Sequence, residues 1–169
     1  VFMAIFTTLT VPLLLTWTSN WLRRRDELVL MEKRFGYLFV GVNPLSLLMA
    51  EKLKTDAEVT LIDSNSEMVL LAKSKGMKCI QGNALKEEIL SEAGASKAKT
   101  LIAITRNTEI NILTAQLAHD SFMLPEKLIL FSPGDEGAGI NLLEPIRAFT
   151  LFAMKTSLTV WTNLIEDGN

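Results

Sequence analysis

The pattern of apolar and polar positions changes twice along this chain. Residues 1–22 form an uncharged, mostly apolar run, and from residue 37 short apolar runs alternate with stretches of helical periodicity. The short runs predict five β-strands, at 37–42, 59–63, 77–81, 100–105 and 127–132. The intervening stretches predict helices at 44–54, 66–75, 86–93 and 108–121. Because the strands are apolar at nearly every position, we expect an α/β fold, a Rossmann-like doubly wound parallel sheet.

Boundary residues support these predicted helices. Pro44 suits the first helical position, where its missing amide would have no partner anyway. Asn65 or Ser64 can cap the second helix through a side-chain oxygen. Gly76 and Gly94 follow predicted helices, where a left-handed residue is favourable.

The uncharged run 1–22 has the features of a membrane helix. As a helix it would be about 33 Å long, and a hydrocarbon core is about 30 Å thick. Trp17 and Trp21 would lie at the interface, and the three arginines 23–25 that follow place residues 23–169 in the cytoplasm. We expect 1–22 to be a transmembrane helix in the cell inner (plasma) membrane, at the end of a membrane domain of a longer polypeptide. The alternative is a buried helix of a soluble protein.

Two segments flank the predicted sheet domain, which spans 36–133. Residues 23–35 are rich in charge and lack glycine and proline, which predicts a stiff helical linker. In the tail, 134–169, apolar residues recur at near-helical spacing from Leu142 to Met154, which predicts a helical segment with one broad apolar face. That face either packs on its own domain or forms a dimer contact with a partner subunit.

Composition narrows the classes of function. With 49% hydrophobic residues among 169, the chain can bury a core. Its formal net charge of −2 gives no electrostatic preference for nucleic acid, and no nucleic-acid-binding motif is present. The single cysteine, Cys79, excludes an intramolecular disulfide and a multi-cysteine metal site, and we expect it to be a buried small residue.

The loop after the first predicted strand is a degenerate dinucleotide-binding motif. Gly41 occupies the first glycine position, Asn43 the second and Ser46 the third, while Asp63 ends the next strand at the spacing of a ribose-binding carboxylate. Asn43 tolerates a positive φ better than most residues, and its side chain is expected to project toward a phosphate. Amides of this loop and the helix dipole are expected to bind an anion, with Asp63 orienting the ligand.

A further set of residues carries a family resemblance. A Gly-Asn-Ala turn follows the third strand, then comes Leu-x-x-Ala-Gly, and the fourth strand ends in Thr ahead of a helix that contains Asn. These are residues 82–84, Leu90 to Gly94, Ala98, Thr105 and Asn111. Over residues 36 to about 132 the chain resembles the RCK or KTN nucleotide-binding domain of bacterial potassium channels and transporters. It departs from the family pattern at Asn43, in place of glycine, and at Asn83, in place of the usual aspartate.

The resemblance implies a set of ligand contacts. It places phosphates at Gly41, Asn43 and Ser46 and a ribose at Asp63, with Ser64 beside it. Asn83 and Thr105 would border the adenosine or the second phosphate, and Arg106 would contact phosphate or remain a solvated loop residue. The implied cofactor is NAD(H) or an adenine nucleotide, AMP or ATP.

The apolar segment "MAIFTTLTVPLL" looks like the last transmembrane helix of a monovalent cation/proton antiporter. Together the two resemblances imply a cytoplasmic nucleotide-sensing regulatory domain of a Na⁺ or K⁺/proton antiporter. Ligand binding would rearrange a homodimer and so gate transport. The alternative is a dimerisation platform of a transporter or potassium channel that binds no nucleotide. An oxidoreductase is disfavoured because the only histidine, His119, and the only tyrosine, Tyr37, form no catalytic pattern.

Overall fold

A parallel sheet of six strands organises the part of the chain that can be described. The computed structural model describes residues 34–132, 135, 140–152 and 158–166, and those from Phe35 onward belong to one compact unit. The strands are β1 (Tyr37–Val40), β2 (Val59–Asp63), β3 (Lys78–Gln81), β4 (Thr100–Ala103), β5 (Glu126–Ile129) and β6 (Ala148–Thr150). Their order in the sheet is β3-β2-β1-β4-β5-β6, and every neighbouring pair is parallel. The predicted Rossmann-like parallel sheet is confirmed.

Helices connect the strands. They are α1 (Pro44–Leu53), α2 (Ser66–Ser74), α3 (Glu87–Glu92), α4 (Thr108–Phe122) and, after a 3₁₀ turn at Ile140–Leu142, α5 (Leu158–Glu166). Pro44 is the first residue of α1 and Asn65 caps α2, as predicted. Gly76 and Gly94 adopt the predicted positive φ, at 71° and 89°.

Alternation along the strands produces two apolar layers. Leu38 and Val40 of β1 pack with the apolar residues of α3 and α4, whereas Phe39 packs with Leu45 of α1 and Leu158 of α5 on the opposite face. Neighbouring strands continue both layers, so the sheet is covered on both sides. This explains why the strands are apolar at nearly every position.

Three strands are shorter than predicted at their carboxyl ends. The first ends at Val40 rather than 42, because Gly41 turns the chain with a φ of 101° and the amide of Val42 leaves the ladder. The fourth ends at Ala103 rather than 105, since Thr105 bonds to a side chain of α4 instead of to a strand. The fifth ends at Ile129 rather than 132. These departures form the loops at the carboxyl edge of the sheet.

The tail was predicted to be largely helical, and over the described residues 143–152 that prediction was wrong. Arg147 takes a left-handed φ of 50°, which interrupts any helix, and Ala148–Thr150 forms β6 beside β5. The sheet therefore extends past the predicted domain boundary at 133. A helix does occur in the tail, at Leu158–Glu166, and Trp161 on it stacks on Phe152 with ring centroids 5.0 Å apart.

The predicted membrane helix at 1–22 lies outside the described residues, as does the linker 23–35 except for its last two positions. Within the described ranges, no helix combines the length and apolar character that a bilayer crossing requires.

Candidate functional site

The strand order reverses between β1 and β4, and a cleft opens there at the carboxyl edge of the sheet. Parallel α/β sheets bind ligands at such a switch point. The cleft has a volume of about 540 Å³, within the usual range for small-molecule sites. All eight predicted site residues except Ser46 line it; they are Gly41, Asn43, Asp63, Ser64, Asn83, Thr105 and Arg106. Ser46 lies fully buried in the first turn of α1.

Gly41 lets β1 and β4 come close together at the base of the cleft. Its φ is 101°, and an added Cβ would lie 3.1 Å from the Thr105 amide nitrogen and 3.2 Å from the Ile104 carbonyl carbon. Both the backbone angle and the lack of space favour glycine here. The first glycine of the motif is thus required by the fold itself.

Asn43 caps α1 and does not take the positive φ that would suit the second glycine position. Its φ is −155°, an extended conformation. The side-chain Oδ1 accepts from the Ser46 amide at 2.9 Å, and Ser46 Oγ accepts from the Asn43 amide at 2.8 Å. Asn43 Nδ2 donates to the carbonyl oxygen of Ile104 at 2.9 Å. The side chain is therefore held by the protein at both ends, instead of projecting free toward a phosphate.

Asp63 accepts hydrogen bonds from both the loop after β1 and the loop after β2. Its Oδ2 accepts from the Val42 amide at 2.7 Å and its Oδ1 from the Asn65 amide at 2.8 Å. The residue is half-buried, and each carboxylate oxygen retains a further lone pair that can accept from a ligand hydroxyl. Ser64, the next residue, is exposed and is not the cap of α2, since Asn65 takes that position.

The loop after β4 is fixed by Asn111, a fully buried residue of α4. Asn111 Oδ1 accepts from the amide of Thr105 at 3.0 Å and from its hydroxyl at 2.7 Å. Asn111 Nδ2 donates to the carbonyl oxygens of Thr105, at 3.1 Å, and Leu130, at 2.9 Å. The Thr105 hydroxyl is thus used to position the loop.

The remaining predicted residues are exposed. Arg106 lines the cleft and also a second depression of about 560 Å³ beside the amino end of α4. Asn83 bonds its own turn, with Oδ1 accepting from the Leu85 amide at 2.9 Å. At Gly82 before it, an added Cβ would lie 2.6 Å from the Ile89 side chain, which would have to move.

Several residues of the cleft were missed at the level of sequence. Asn107 caps α4, because its side-chain oxygen accepts a hydrogen bond from the Ile110 amide. An asparagine directly before a helical pattern is a recognisable cap signal. Met68 and Ile110 line the cleft from helix starts, where apolar residues give no distinctive signal. Leu158 reaches it from α5, and no local pattern could reveal that long-range packing.

Cys79 on β3 is buried, as predicted, with 5% of its surface exposed. Burial raises the pKa of its thiol, the charge of Asp63 raises that pKa further, and Lys73 lowers it. A raised thiol pKa makes the residue a poor nucleophile. No cluster of three or more potential metal ligands occurs among the described residues.

A doubly wound parallel sheet with a carboxylate-bearing cleft at its switch point defines the class of Rossmann-like nucleotide-binding domains. Within that class the chain belongs to the TrkA-N domain family, whose model matches residues 37–132. The resemblance to RCK domains drawn from the sequence is confirmed.

Curated relatives include the Trk system potassium uptake protein TrkA of Haemophilus influenzae. It is 27% identical over 93 residues, which cover 54% of this chain and 20% of that protein. The chain thus spans about a fifth of the length of the curated relatives it matches.

Among solved structures, the TrkA-N domain of the inner membrane protein ybaL from Escherichia coli has a TM-score of 0.62 at 21% identity, covering 79% of this chain and 96% of that one. The GsuK channel bound to NAD has a TM-score of 0.58 at 18% identity, covering 68% of this chain and 20% of that one. GsuK bound to ADP also has a TM-score of 0.58, at 17% identity, covering 71% of this chain and 31% of that one. These likenesses show the fold.

Proposed function

We propose that this chain is the cytoplasmic nucleotide-sensing regulatory domain of a membrane monovalent cation transporter, a Na⁺ or K⁺/proton antiporter. The observation that carries the proposal is the cleft at the β1/β4 switch point, with the Asp63 carboxylate on its wall. The family relation to potassium-uptake proteins supports a role in cation transport. The role is regulatory rather than catalytic.

The ligand we propose is NAD(H) or an adenine nucleotide, AMP or ATP. Asp63 accepts hydrogen bonds from ribose hydroxyls, and Ser64 and Asn83 lie along the same wall. Gly41, Asn43 and Thr105 line the crevice at the centre, and Ser46 holds Asn43 in place from the first turn of α1. Arg106 supplies a positive charge for phosphate. The volume of the cleft and the free lone pairs of Asp63 fit a nucleoside.

Regulation requires that the ligand bind one arrangement of the assembly more tightly than another. A ligand with equal affinity for both does not change the equilibrium between them. We propose that the assembly is a homodimer of the domain, to which the tail 134–169 contributes, and that its two arrangements differ in ligand affinity. Residues 1–22 would be the last membrane helix of the transporter in the cell inner membrane, and 23–35 would transmit the rearrangement. Monovalent cations and protons would be handled by the membrane part.

The second candidate function is a dimerisation platform that binds no nucleotide. One observation favours it: the Asn43 and Ser46 side chains satisfy amides of the loop that would otherwise contact a phosphate. The two functions differ in whether the cleft takes a ligand, so a binding measurement separates them.

Nucleotide titration of the full chain tests the proposal. A ligand at 100 times its dissociation constant is expected to raise the free energy of unfolding by about 2.7 kcal/mol. The measurement is the thermal midpoint with NAD, NADH, AMP and ATP in turn, with inorganic phosphate as the control for ionic effects. If none of the four nucleotides raises the thermal midpoint, the nucleotide-sensing function is rejected in favour of the dimerisation platform.

Replacing Asp63 with alanine should weaken the binding of ribose-containing ligands by about tenfold or more, because it removes the acceptor for the ribose hydroxyls. The change also breaks the bonds to the Val42 and Asn65 amides, so some stability is lost with it. Asp63→Asn is the matched variant, since it keeps one acceptor oxygen and the shape. Calorimetric affinities that are the same in wild type and Asp63→Ala would remove Asp63 from the site.

A further inference from the structure

Most of the backbone amides between β1 and α1 that could donate to a pyrophosphate are already hydrogen-bonded within the protein. The Val42 amide donates to Asp63 at 2.7 Å, the Asn43 amide to Ser46 Oγ at 2.8 Å, and the Ser46 amide to Asn43 Oδ1 at 2.9 Å. Pro44 has no amide hydrogen. Binding a phosphate at this helix start would mean breaking bonds that the protein makes within itself.

The Asn43 side chain also crosses the crevice between the two halves of the sheet. Its Nδ2 lies 2.9 Å from the carbonyl oxygen of Ile104, which directly follows the end of β4. A dinucleotide lies across this crevice, with one nucleoside on each half of the sheet and the pyrophosphate between them. The side chain of Asn43 therefore occupies the path that joins the two halves.

The half of the cleft on the β2 and β3 side stays open. It is lined by Asp63, Met68, Asn83 and Ala84, a carboxylate and an amide beside apolar surface. This combination suits a single nucleoside, with hydroxyls at the carboxylate and a base against the apolar residues. Arg106 is the one cationic side chain among the described residues that line the cleft, and it can neutralise a terminal phosphate that remains in contact with water.

We infer that the cleft selects a nucleoside 5′-monophosphate over a dinucleotide, and that Asn43 is the residue that sets this preference. The inference rests on the proposed function, which leaves the nucleotide open. A mononucleotide needs the open half and the Arg106 side chain, whereas a dinucleotide must displace Asn43 from Ile104 and leave that carbonyl without its donor.

The test is calorimetric titration of the full chain with AMP, NAD and NADH, in the wild type and in Asn43→Gly. The wild type should bind AMP about tenfold or more tightly than either dinucleotide. Glycine restores the open crevice and is itself accepted at helix N-caps, so the variant should fold. Its affinity for NADH should rise by about tenfold, while that for AMP changes little.

Glu51→Gly is the matched control, since it places a glycine at an exposed position of the same helix outside the cleft. It should leave the ratio of AMP to NADH affinity as in the wild type. A wild type that binds NADH as tightly as AMP, or an Asn43→Gly variant with an unchanged ratio, would overturn the inference and leave the sensor proposal standing. Absence of all nucleotide binding in both proteins would overturn the sensor proposal itself.

Discussion

Replacing Gly41 with alanine is expected to lower the free energy of unfolding by about 3 kcal/mol. The new Cβ would meet the amide of Thr105 and the backbone of Ile104 at 3.1–3.2 Å, and backbone atoms cannot rotate away as a side chain can. The residue would also be held at a φ of 101°, where an L side chain is strained. Urea titration followed by far-ultraviolet circular dichroism measures the loss.

Gly76→Ala separates these two causes. Gly76 also has a positive φ, at 71°, but an added Cβ there would meet no atom within 4 Å. Its replacement should therefore cost only the backbone strain, about 1 kcal/mol. Equal losses for the two variants would show that the approach of β1 to β4 at Gly41 has no energetic consequence of its own.

Replacing Asn111 with alanine is expected to cost about 3–4 kcal/mol. Asn111 is fully buried and holds the backbone of Thr105 and the carbonyl of Leu130 through its amide group. Alanine leaves these groups without their partners, and Leu130 is itself buried, so water cannot readily replace the bond. Urea titration gives the magnitude of the loss.

The matched control for Asn111 is Asn65→Ala. Asn65 is exposed and its side chain makes one bond, to the Glu67 amide, so its loss should cost about 1 kcal/mol. If Asn111→Ala were no more destabilising than Asn65→Ala, the network around Thr105 would not hold the loop after β4.

The alternation of strands and helices was predictable from sequence because burial on both faces makes each strand a short, continuous apolar run. The carboxyl ends of the strands were less predictable. Whether Val42 or Thr105 continues a ladder depends on side chains distant in sequence, Asp63 in one case and Asn111 in the other. Hydrophobic periodicity does not report such bonds.

The tail shows a second reason for failure. The spacing of its apolar residues also fits a turn followed by a short strand, with Leu143 and Ala148 buried and Phe149 exposed. A strand of only three residues gives too few positions to distinguish alternation from helical periodicity. Its pairing with β5 is a long-range contact, which local spacing cannot reveal.

Of the residues predicted for the site, all but Ser46 line the cleft, but their hydrogen bonds were not predicted. Gly41 and Asp63 were recognised because a motif fixes their spacing, and both line the cleft. The motif predicts Asn43 as a substitute for glycine, whereas in the structure Asn43 and Ser46 form a reciprocal helix cap. The spacing of Asn43 and Ser46 fits both the dinucleotide-binding motif and a helix cap. Only the direction of the Asn43 side chain distinguishes the two.

Three helices at the carboxyl edge of the sheet begin with an asparagine cap, at Asn43, Asn65 and Asn107. An asparagine cap accepts hydrogen bonds from the first amides of a helix without adding charge, whereas an aspartate cap would add a negative charge. Among the described residues that line this cleft, the charged ones are Asp63 and Arg106, which are opposite in sign. These two lining charges give an anionic ligand little net attraction as it approaches. Its rate of association would accordingly vary only weakly with ionic strength, and affinity would be governed by the lifetime of the complex.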